Sequence, residues 1–261
     1  MATPSETILI TGASSGLGLA FVKHYASLPT PSSSTPPPTI IALDKQPFPQ
    51  TTIQPPTLHF HQLDLTSASE LQSLASRYAR TPLSLVIHCA GIRGLVASTA
   101  AQQAAGEREV ARAETWQVMD KETMMRAFEI NTWGTFNLIQ AFLPSLLLSC
   151  SSTPAARPRV VVLSSRMSSI SANAAGGAYA YRASKAALNA VVRSFVIDVP
   201  RVQFLLLHPG RVETGLVAWK EEGAVSVEES VGDCLTVLER MGKEEWVSGR
   251  LVDRFGEEIA W

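Results

Sequence analysis

Tyr181 and Lys185 stand four residues apart in GAYAYRASKAAL (177–188), and at that spacing on a helix their side chains share one face. A phenol with its ordinary pKa of about 10 is a poor base near neutral pH. A lysine ammonium one turn away favours the phenolate and makes the group usable as an acid and a base. Such a phenol can protonate the alkoxide left when hydride is delivered to a carbonyl, and its phenolate can take the proton back in the reverse direction. Tyr179, two positions earlier, faces elsewhere on the same helix and reads as a packing or pocket-wall residue.

A second constellation lies near the N-terminus. TILITGASSGLGLAFVKHYASL (7–28) reads as a strand, a glycine turn and an amphipathic helix. Gly12, Gly16 and Gly18 occur where a dinucleotide fold needs a tight turn, close approach to a pyrophosphate and close helix-to-strand packing, and the helix N-terminus favours phosphate charge. Ser14, Ser15 and Leu17 fill the same turn. Asp44, closing TIIALD, is placed to bind the adenosine ribose hydroxyls. It lies 26 residues past Gly18, beyond the usual spacing of about 20, and a Pro/Ser-rich insertion accounts for the excess. A carboxylate there repels a 2′-phosphate, so NAD(H) is favoured, while Lys45 next door leaves NADP(H) open. Asp64, followed by Leu65, either caps the next helix or meets the adenine edge.

These groups must be positioned by alternating short apolar runs and longer helical segments. The expected strands cover 7–10, 39–43, 57–65, 83–90, 159–165, 202–208 and 250–255. Near-continuous apolar strands separated by helices imply a parallel sheet covered on both faces. The expected fold class is α/β: one doubly wound domain over 1–261 with seven parallel strands. LPTPSSSTPPP (28–38) cannot continue a helix or enter a central strand, so 29–38 is expected to be a surface loop. SCSSTPAARP (149–158) is expected to separate a helix from the fifth strand, and the Ala-rich segment between Arg93 and Thr115 to form a short helix over the C-terminal edge of the sheet.

With 22 basic and 23 acidic residues, the chain has no electrostatic footprint for nucleic acid or an anionic membrane surface. The partner expected is a small molecule. Cys89, Cys150 and Cys234 are few, separated and odd in number, which argues against a disulfide framework and fits a reducing, cytoplasmic setting. The longest apolar stretch, IQAFLPSLLL, is too short to span a bilayer. His59 and His61 share one strand face but no third ligand is near in sequence, so no metal is expected.

Several motifs occur in one order: TGASSGLG, the asparagine of EINTWGTFN, the serines of VVVLSS, YRASK and HPGRVET. Together they resemble the short-chain dehydrogenase/reductase family over nearly the whole chain. GGAYAYRASKAALN and FGEEIAW look most like the branch of the C-factor and sniffer-type carbonyl reductases. The resemblance implies a Rossmann domain that transfers hydride between a nicotinamide and a carbonyl or alcohol. By position it implies Tyr181 as acid/base with Lys185 as partner, Asn131 anchoring a water relay and Ser165 holding the substrate oxygen. Ala90 and Gly91 would give the backbone access to the cofactor ribose, and Pro209, Gly210, Val212 and Thr214 would lie against the nicotinamide. A homodimer or homotetramer through the helices bearing Asn131 and Tyr181 is also implied.

Two departures bear on the site. The family's serine usually precedes the tyrosine by about thirteen residues, whereas Ser165 precedes Tyr181 by sixteen and Ser168 by thirteen. Ser165 is favoured because a strand end fixes a side chain better than a loop does, and Ser168 stays open. Where the family shows Asn-Asn-Ala-Gly, this chain has His88-Cys89-Ala90-Gly91, and His88 reads as a satisfied histidine at a strand end. Arg93, Arg166 and Met167, just beyond strands four and five, are candidates for the substrate pocket, an arginine favouring an anionic or phenolic substrate. Residues 212–230 read as a substrate lid, with Leu216 and Trp219 as contacts. The expected activity is ketone reduction or secondary-alcohol oxidation. The alternatives are a non-redox dehydratase or isomerase and a nucleotide-sensing signalling protein that keeps the fold.

Overall fold

Seven short strands, β1 (Thr7–Thr11), β2 (Thr39–Asp44), β3 (Leu58–Gln62), β4 (Leu85–His88), β5 (Arg159–Leu163), β6 (Gln203–His208) and β7 (Leu251–Asp253), form one sheet in the order β3-β2-β1-β4-β5-β6-β7. Every pairing in it is parallel. The structure is a computed structural model describing residues 6–28, 36–50, 52, 55–103, 110–152, 157–217, 222–243 and 248–261.

All five residues of β1 are buried, because alternate side chains leave the strand toward opposite covered faces. Leu9, Val86, Val160, Val162 and Leu206 point into one core layer, closed by Leu71, Leu138, Phe142, Leu188 and Val192. Those five come from α2 (Ala68–Arg77), α5 (Gly134–Ser152) and α6 (Tyr179–Asp198). Ile8, Ile10, Ile87, Val161, Leu163 and Leu205 point the other way, against Phe21 and Val22 of α1 (Gly16–Ala26) and Val237, Leu238 and Met241 of the Val227–Lys243 helix. This is the doubly wound α/β arrangement of a Rossmann fold.

The chain builds outward from β1 to β3 and then returns to place β4 on the other side of β1. The crevice at the C-terminal ends of β1 and β4 is therefore the topological switch point, where open α/β sheets bind ligands. Beyond β4 come α3 (Ala97–Gln103), a 3₁₀ turn (Val110–Glu114) and α4 (Lys121–Ala127). The expected short helix over this edge is thus present as α3.

From α4 the chain runs through a π-helical turn, Phe128–Trp133, directly into α5. Asn131 sits inside this turn, fully buried. Wider turns of this kind re-aim side chains within a helix.

Several expected boundaries are corrected: β4 covers Leu85–His88 rather than 83–90, its ladder ending where His88 pairs with Thr11 and Val162, and β5 ends at Leu163 rather than 165. β3 ends at Gln62 rather than 65, because its last ladder partner is Asp44, where β2 ends. β7 stops at Asp253 for a similar reason: its last partner is His208 at the end of β6, and the Asp253 carboxylate accepts the Phe255 and Glu257 N–H groups to turn the chain. α5 continues to Ser152, into the segment expected to be a loop. Of the 29–38 insertion only 36–38 fall among the described residues. Among them, no helix is long and apolar enough to cross a membrane.

Candidate active site

The glycine turn after β1 is shaped by contact with the backbone at the end of β4. Gly12 has φ 66°, and a Cβ there would lie 3.0 Å from the Ala90 nitrogen. Gly18 is more constrained: a Cβ would lie 2.1 Å from the Gly12 carbonyl oxygen, so α1 can approach the turn only because this position has no side chain. Ser15 occupies the N-cap of α1 without making a capping bond. The first-turn N–H groups are therefore open to an incoming acceptor.

Asp44 closes the other side of this turn. One carboxylate oxygen accepts the Ser14 N–H at 2.9 Å and the other accepts the Gln46 N–H at 2.8 Å. Lys45 pairs with Asp64 at 2.6 Å, and both line the same cavity as Asp44. Burial pushes the Asp64 pKa up, but hydrogen bonds from Lys45 and Thr66 outweigh it and bring it to about 2. Asp64 does not cap α2, since Ser67 holds the N-cap and accepts the Glu70 N–H.

The end of β4 is tied down by a chain of hydrogen bonds whose direction follows from donor counting. Thr135 Oγ1 donates to the Asn131 carbonyl at 2.6 Å, so it must accept from His88 Nε2 at 2.9 Å. His88 Nδ1 is then the acceptor for the Thr11 hydroxyl at 2.8 Å. The Thr11 oxygen in turn receives the Cys89 and Ala90 N–H groups at 3.2 and 3.3 Å. Burial holds the His88 pKa down at about 3, with a further push from the Lys185 charge. His88 is the satisfied histidine expected at this strand end, and it links β1, β4 and the π-helical turn.

Asn131 extends the same frame. Its Oδ1 accepts the Ile92 N–H at 2.8 Å, and its Nδ2 donates to the Ile92 carbonyl at 2.9 Å and to Ser184 Oγ at 3.0 Å. One side chain thus holds the segment after β4 against α6.

On α6, Tyr181 and Lys185 are both buried on one face. Lys185 Nζ donates to the Leu163 carbonyl at 2.8 Å and lies 5.9 Å from the Tyr181 ring centroid. Burial lowers the Lys185 pKa to about 8, so the ammonium still predominates at neutral pH. The thiol of Cys89 is pushed upward by burial and stays protonated.

The two serine candidates occupy different places. Ser168 Oγ donates to the Ser165 carbonyl at 2.5 Å and accepts Asn189 Nδ2 at 2.8 Å. Ser164 Oγ donates to Asn189 Oδ1 at 2.7 Å. Both hydroxyls are thereby committed to a buried network between β5 and α6. Ser165 Oγ accepts the Met167 N–H at 3.1 Å, which leaves its own proton for another acceptor.

A cavity of about 390 Å³ unites these parts. Gly12, Ser15, Gly16, Leu17 and Gly18 line it together with Asp44, Asp64, Leu65, Ala90, Gly91, Tyr181, Lys185, Pro209, Thr214 and Leu216. Ser14, Asn131, Ser165, Gly210 and Val212 do not line it. Ser14 lies behind it on Asp44, and Val212 is bridged to Val225, which closes the base of the 212–230 segment.

A second cavity of about 550 Å³ adjoins the first through Ile92, Arg126 and Leu216, and Arg93 lines it. Arg166 instead reaches Asp253 at 3.4 Å. The Met167 carbonyl accepts from Arg182 at 3.4 Å, and Trp219 lies outside the described residues.

Two charged residues at this site have no counterpart in the sequence reading. Arg126, paired with Glu129 at 2.5 Å, faces both cavities; the signal for it was Asp120, whose carboxylate accepts the Thr123 N–H at 2.7 Å and starts α4. Glu114 is buried and paired with Arg93.

Comparison with known proteins agrees with this geometry. The family model for the short chain dehydrogenases matches residues 6–224. The C-signal protein of Myxococcus xanthus is 34% identical over 193 residues, covering 73% of this chain and 100% of that one. The structure of an NADPH-bound carbonyl reductase from chicken fatty liver superposes with a TM-score of 0.79 at 28% identity, covering 98% of this chain and 94% of the other. Carbonyl reductase Sniffer of D. melanogaster shares the fold with a TM-score of 0.77 at 23% identity, covering 99% and 100%. With a glycine turn, a Tyr/Lys pair and a family match over most of its length, the chain belongs to the short chain dehydrogenase family.

Proposed function

We propose that this protein is an NAD(P)-dependent oxidoreductase that interconverts a ketone and a secondary alcohol of a small organic molecule, with Tyr181 as the acid/base. The observation that carries this reading is that one cavity is lined by both the glycine turn and the Tyr181–Lys185 unit. The residues suit a dinucleotide: the turn excludes side chains at Gly12 and Gly18, the start of α1 is uncapped, and Asp44 stands at the end of β2. When bound, a nicotinamide supplies or accepts the hydride.

The chain's own groups handle the proton. In reduction, ketone, reduced nicotinamide and one proton become alcohol and oxidised nicotinamide, and the Tyr181 hydroxyl donates that proton to the developing alkoxide. Lys185 favours the phenolate that results. Ser165 is kept as the second donor to the substrate oxygen because its own proton is uncommitted whereas Ser168 has spent its hydroxyl on the Ser165 carbonyl, although of these serines only Ser164, itself bonded to Asn189, lines the cavity. Asn131 holds the Ile92 backbone and Ser184 in register, so the β4 end and α6 keep a fixed spacing. Of the expected lid over 212–230, the described residues Thr214 and Leu216 border the cavity, which supports a covering role for this part.

NAD(H) is the favoured cofactor on the strength of Asp44 facing the cavity, while Lys45 lines the same cavity and the NADPH-bound carbonyl reductase among the similar structures supports NADP(H) as the alternative. A carboxylate at this position opposes a 2′-phosphate. Titration with NADH and NADPH in parallel tests the choice, and tighter NADPH binding would reverse it.

Turnover is tested by following nicotinamide absorbance across a panel of ketones and secondary alcohols, with Tyr181→Phe as the control. A loss of about 10³-fold is expected in that variant, and unchanged turnover would remove Tyr181 from the mechanism. The likeness to a protein named C-signal favours, as a second reading, a signalling protein that senses the nucleotide. Cofactor binding with no turnover on any panel member would support it.

A further inference from the structure

We infer that Arg93 and Glu114 form a positioning pair that sets both the placement and the ionisation of the Tyr181 phenol, an inference that rests on Tyr181 being the acid/base. Arg93 Nε and Nη2 each donate to one Glu114 carboxylate oxygen at 2.8 Å. A two-bond fork of this kind fixes the plane of the guanidinium as well as its distance. The two side chains are 13% and 6% exposed. The plane so fixed lies over the Tyr181 ring, 4.9 Å from its centroid.

The backbone around the pair points the same way. The Glu114 carbonyl accepts the N–H of Ala178 at 3.0 Å. Ala178 immediately precedes α6 and is left-handed, at φ 51°, a conformation that alanine holds only when its surroundings enforce it. Gly94, next to Arg93, is also left-handed, and a Cβ there would lie 3.0 Å from the Ala180 Cβ. The segment after β4 and the 3₁₀ turn at 110–114 therefore clamp the first turn of α6, where Tyr181 sits. Arg93 serves this clamp and is not a free anchor for an anionic substrate.

Charged groups surround the phenol from several elements. Arg93 and Glu114 face it from the segment between β4 and α4, and Lys185 from α6 itself, while the neighbouring Arg182 donates to the Gly176 and Met167 carbonyls. Arg126, paired with Glu129, shares its cavity from α4. Arg166 in the turn after β5 is paired with Asp253. His88 and Cys89 at the end of β4 are held neutral by burial near pH 7. A cation over the ring favours phenolate, and the Glu114 carboxylate offsets part of that effect.

The test reads Tyr181 directly. The chain has four tyrosines, so tyrosinate absorbance is titrated for each protein with its Tyr181→Phe counterpart as the blank. Arg93→Met is expected to raise the Tyr181 midpoint by about one pH unit and Glu114→Gln to lower it by a similar amount. The double variant should return to within about half a unit of the parent, because both charges leave together.

Shifts in the same direction, or none in folded variants, would overturn the inference and leave the pair a packing feature. If Glu114→Gln does not fold, Arg93→Lys against Arg93→Met decides: lysine should keep the midpoint and methionine raise it, and equal midpoints would overturn the inference. Failure of the underlying reading looks different, since turnover would then survive Tyr181→Phe whatever the midpoints do.

Discussion

The proposed cofactor side and the proposed substrate side of this site are held together by different means. At the ends of β1 and β2 the shape is made by backbone: glycines at 12 and 18, an uncapped helix start, and N–H groups aimed at Asp44. Around Tyr181 it is made by side chains reaching across the fold: Arg93 to Glu114, Asn131 to Ile92 and Ser184, and Ser164 and Ser168 to Asn189. The first construction fails through steric exclusion, by loss of fold. The second fails through loss of alignment, with the fold intact.

That contrast can be broken in a graded way. The largest effect is expected at Lys185→Met, where activity should fall by about 10³-fold, or about 4 kcal/mol in the barrier, while thermal stability does not fall. The reason is that burying the ammonium is itself unfavourable, as its pKa of about 8 shows. The folded pKa lies below that of the unfolded chain, so parent stability should rise between about pH 8 and 10.5 and the variant's should not. A matching Tm and activity loss in the variant would erase the distinction.

Gly18→Ala should do the reverse. A methyl group 2.1 Å from the Gly12 carbonyl should cost about 3 kcal/mol and lower Tm by roughly 10 °C, and calorimetry reads this directly. A variant with unchanged Tm would show the cofactor side to be softer than its geometry says.

Ser165→Ala should lower turnover by about 10²-fold, about 2.7 kcal/mol, with little change in Tm. Ser168→Ala should instead lower Tm by a few degrees through its buried network, and steady-state kinetics beside calorimetry separates the two.

The smallest effect joins both sides. Because the His88 pKa is held to about 3 when folded, the unfolded chain binds more protons between pH 6.5 and 3, and stability falls as pH falls. At pH 5 the loss is about 2 kcal/mol. His88→Asn should flatten this acid limb relative to the parent, as measured by denaturant melts at pH 5 and pH 7.

The same contrast explains what could be read in advance. Glycine spacing, a carboxylate at a strand end and a Tyr/Lys pair one turn apart are local requirements, so they show as local patterns, as do seven apolar strands alternating with helices. Glu114 was invisible because its role depends on Arg93, 21 positions away, and on a backbone bond to Ala178. His88 acquires its partners from positions 77 and 47 residues distant. The preference proposed for Ser165 over Ser168 rests on where a 3₁₀ turn spends its hydroxyls, which spacing from Tyr181 does not encode.

The widened turn at Phe128–Trp133 makes the helical path from Lys121 to Ser152 two cylinders set out of phase. Asn131 is aimed by that offset, and Leu138, Phe142 and Leu146 beyond it still meet the core. Removing one residue from the turn would close it to an ordinary helix and rotate one cylinder against the other by about 100°. Either the asparagine or the whole apolar stripe would then face the wrong way. Chain length in these six residues is thus a tuning parameter for the site, one that a catalogue of point substitutions would never sample.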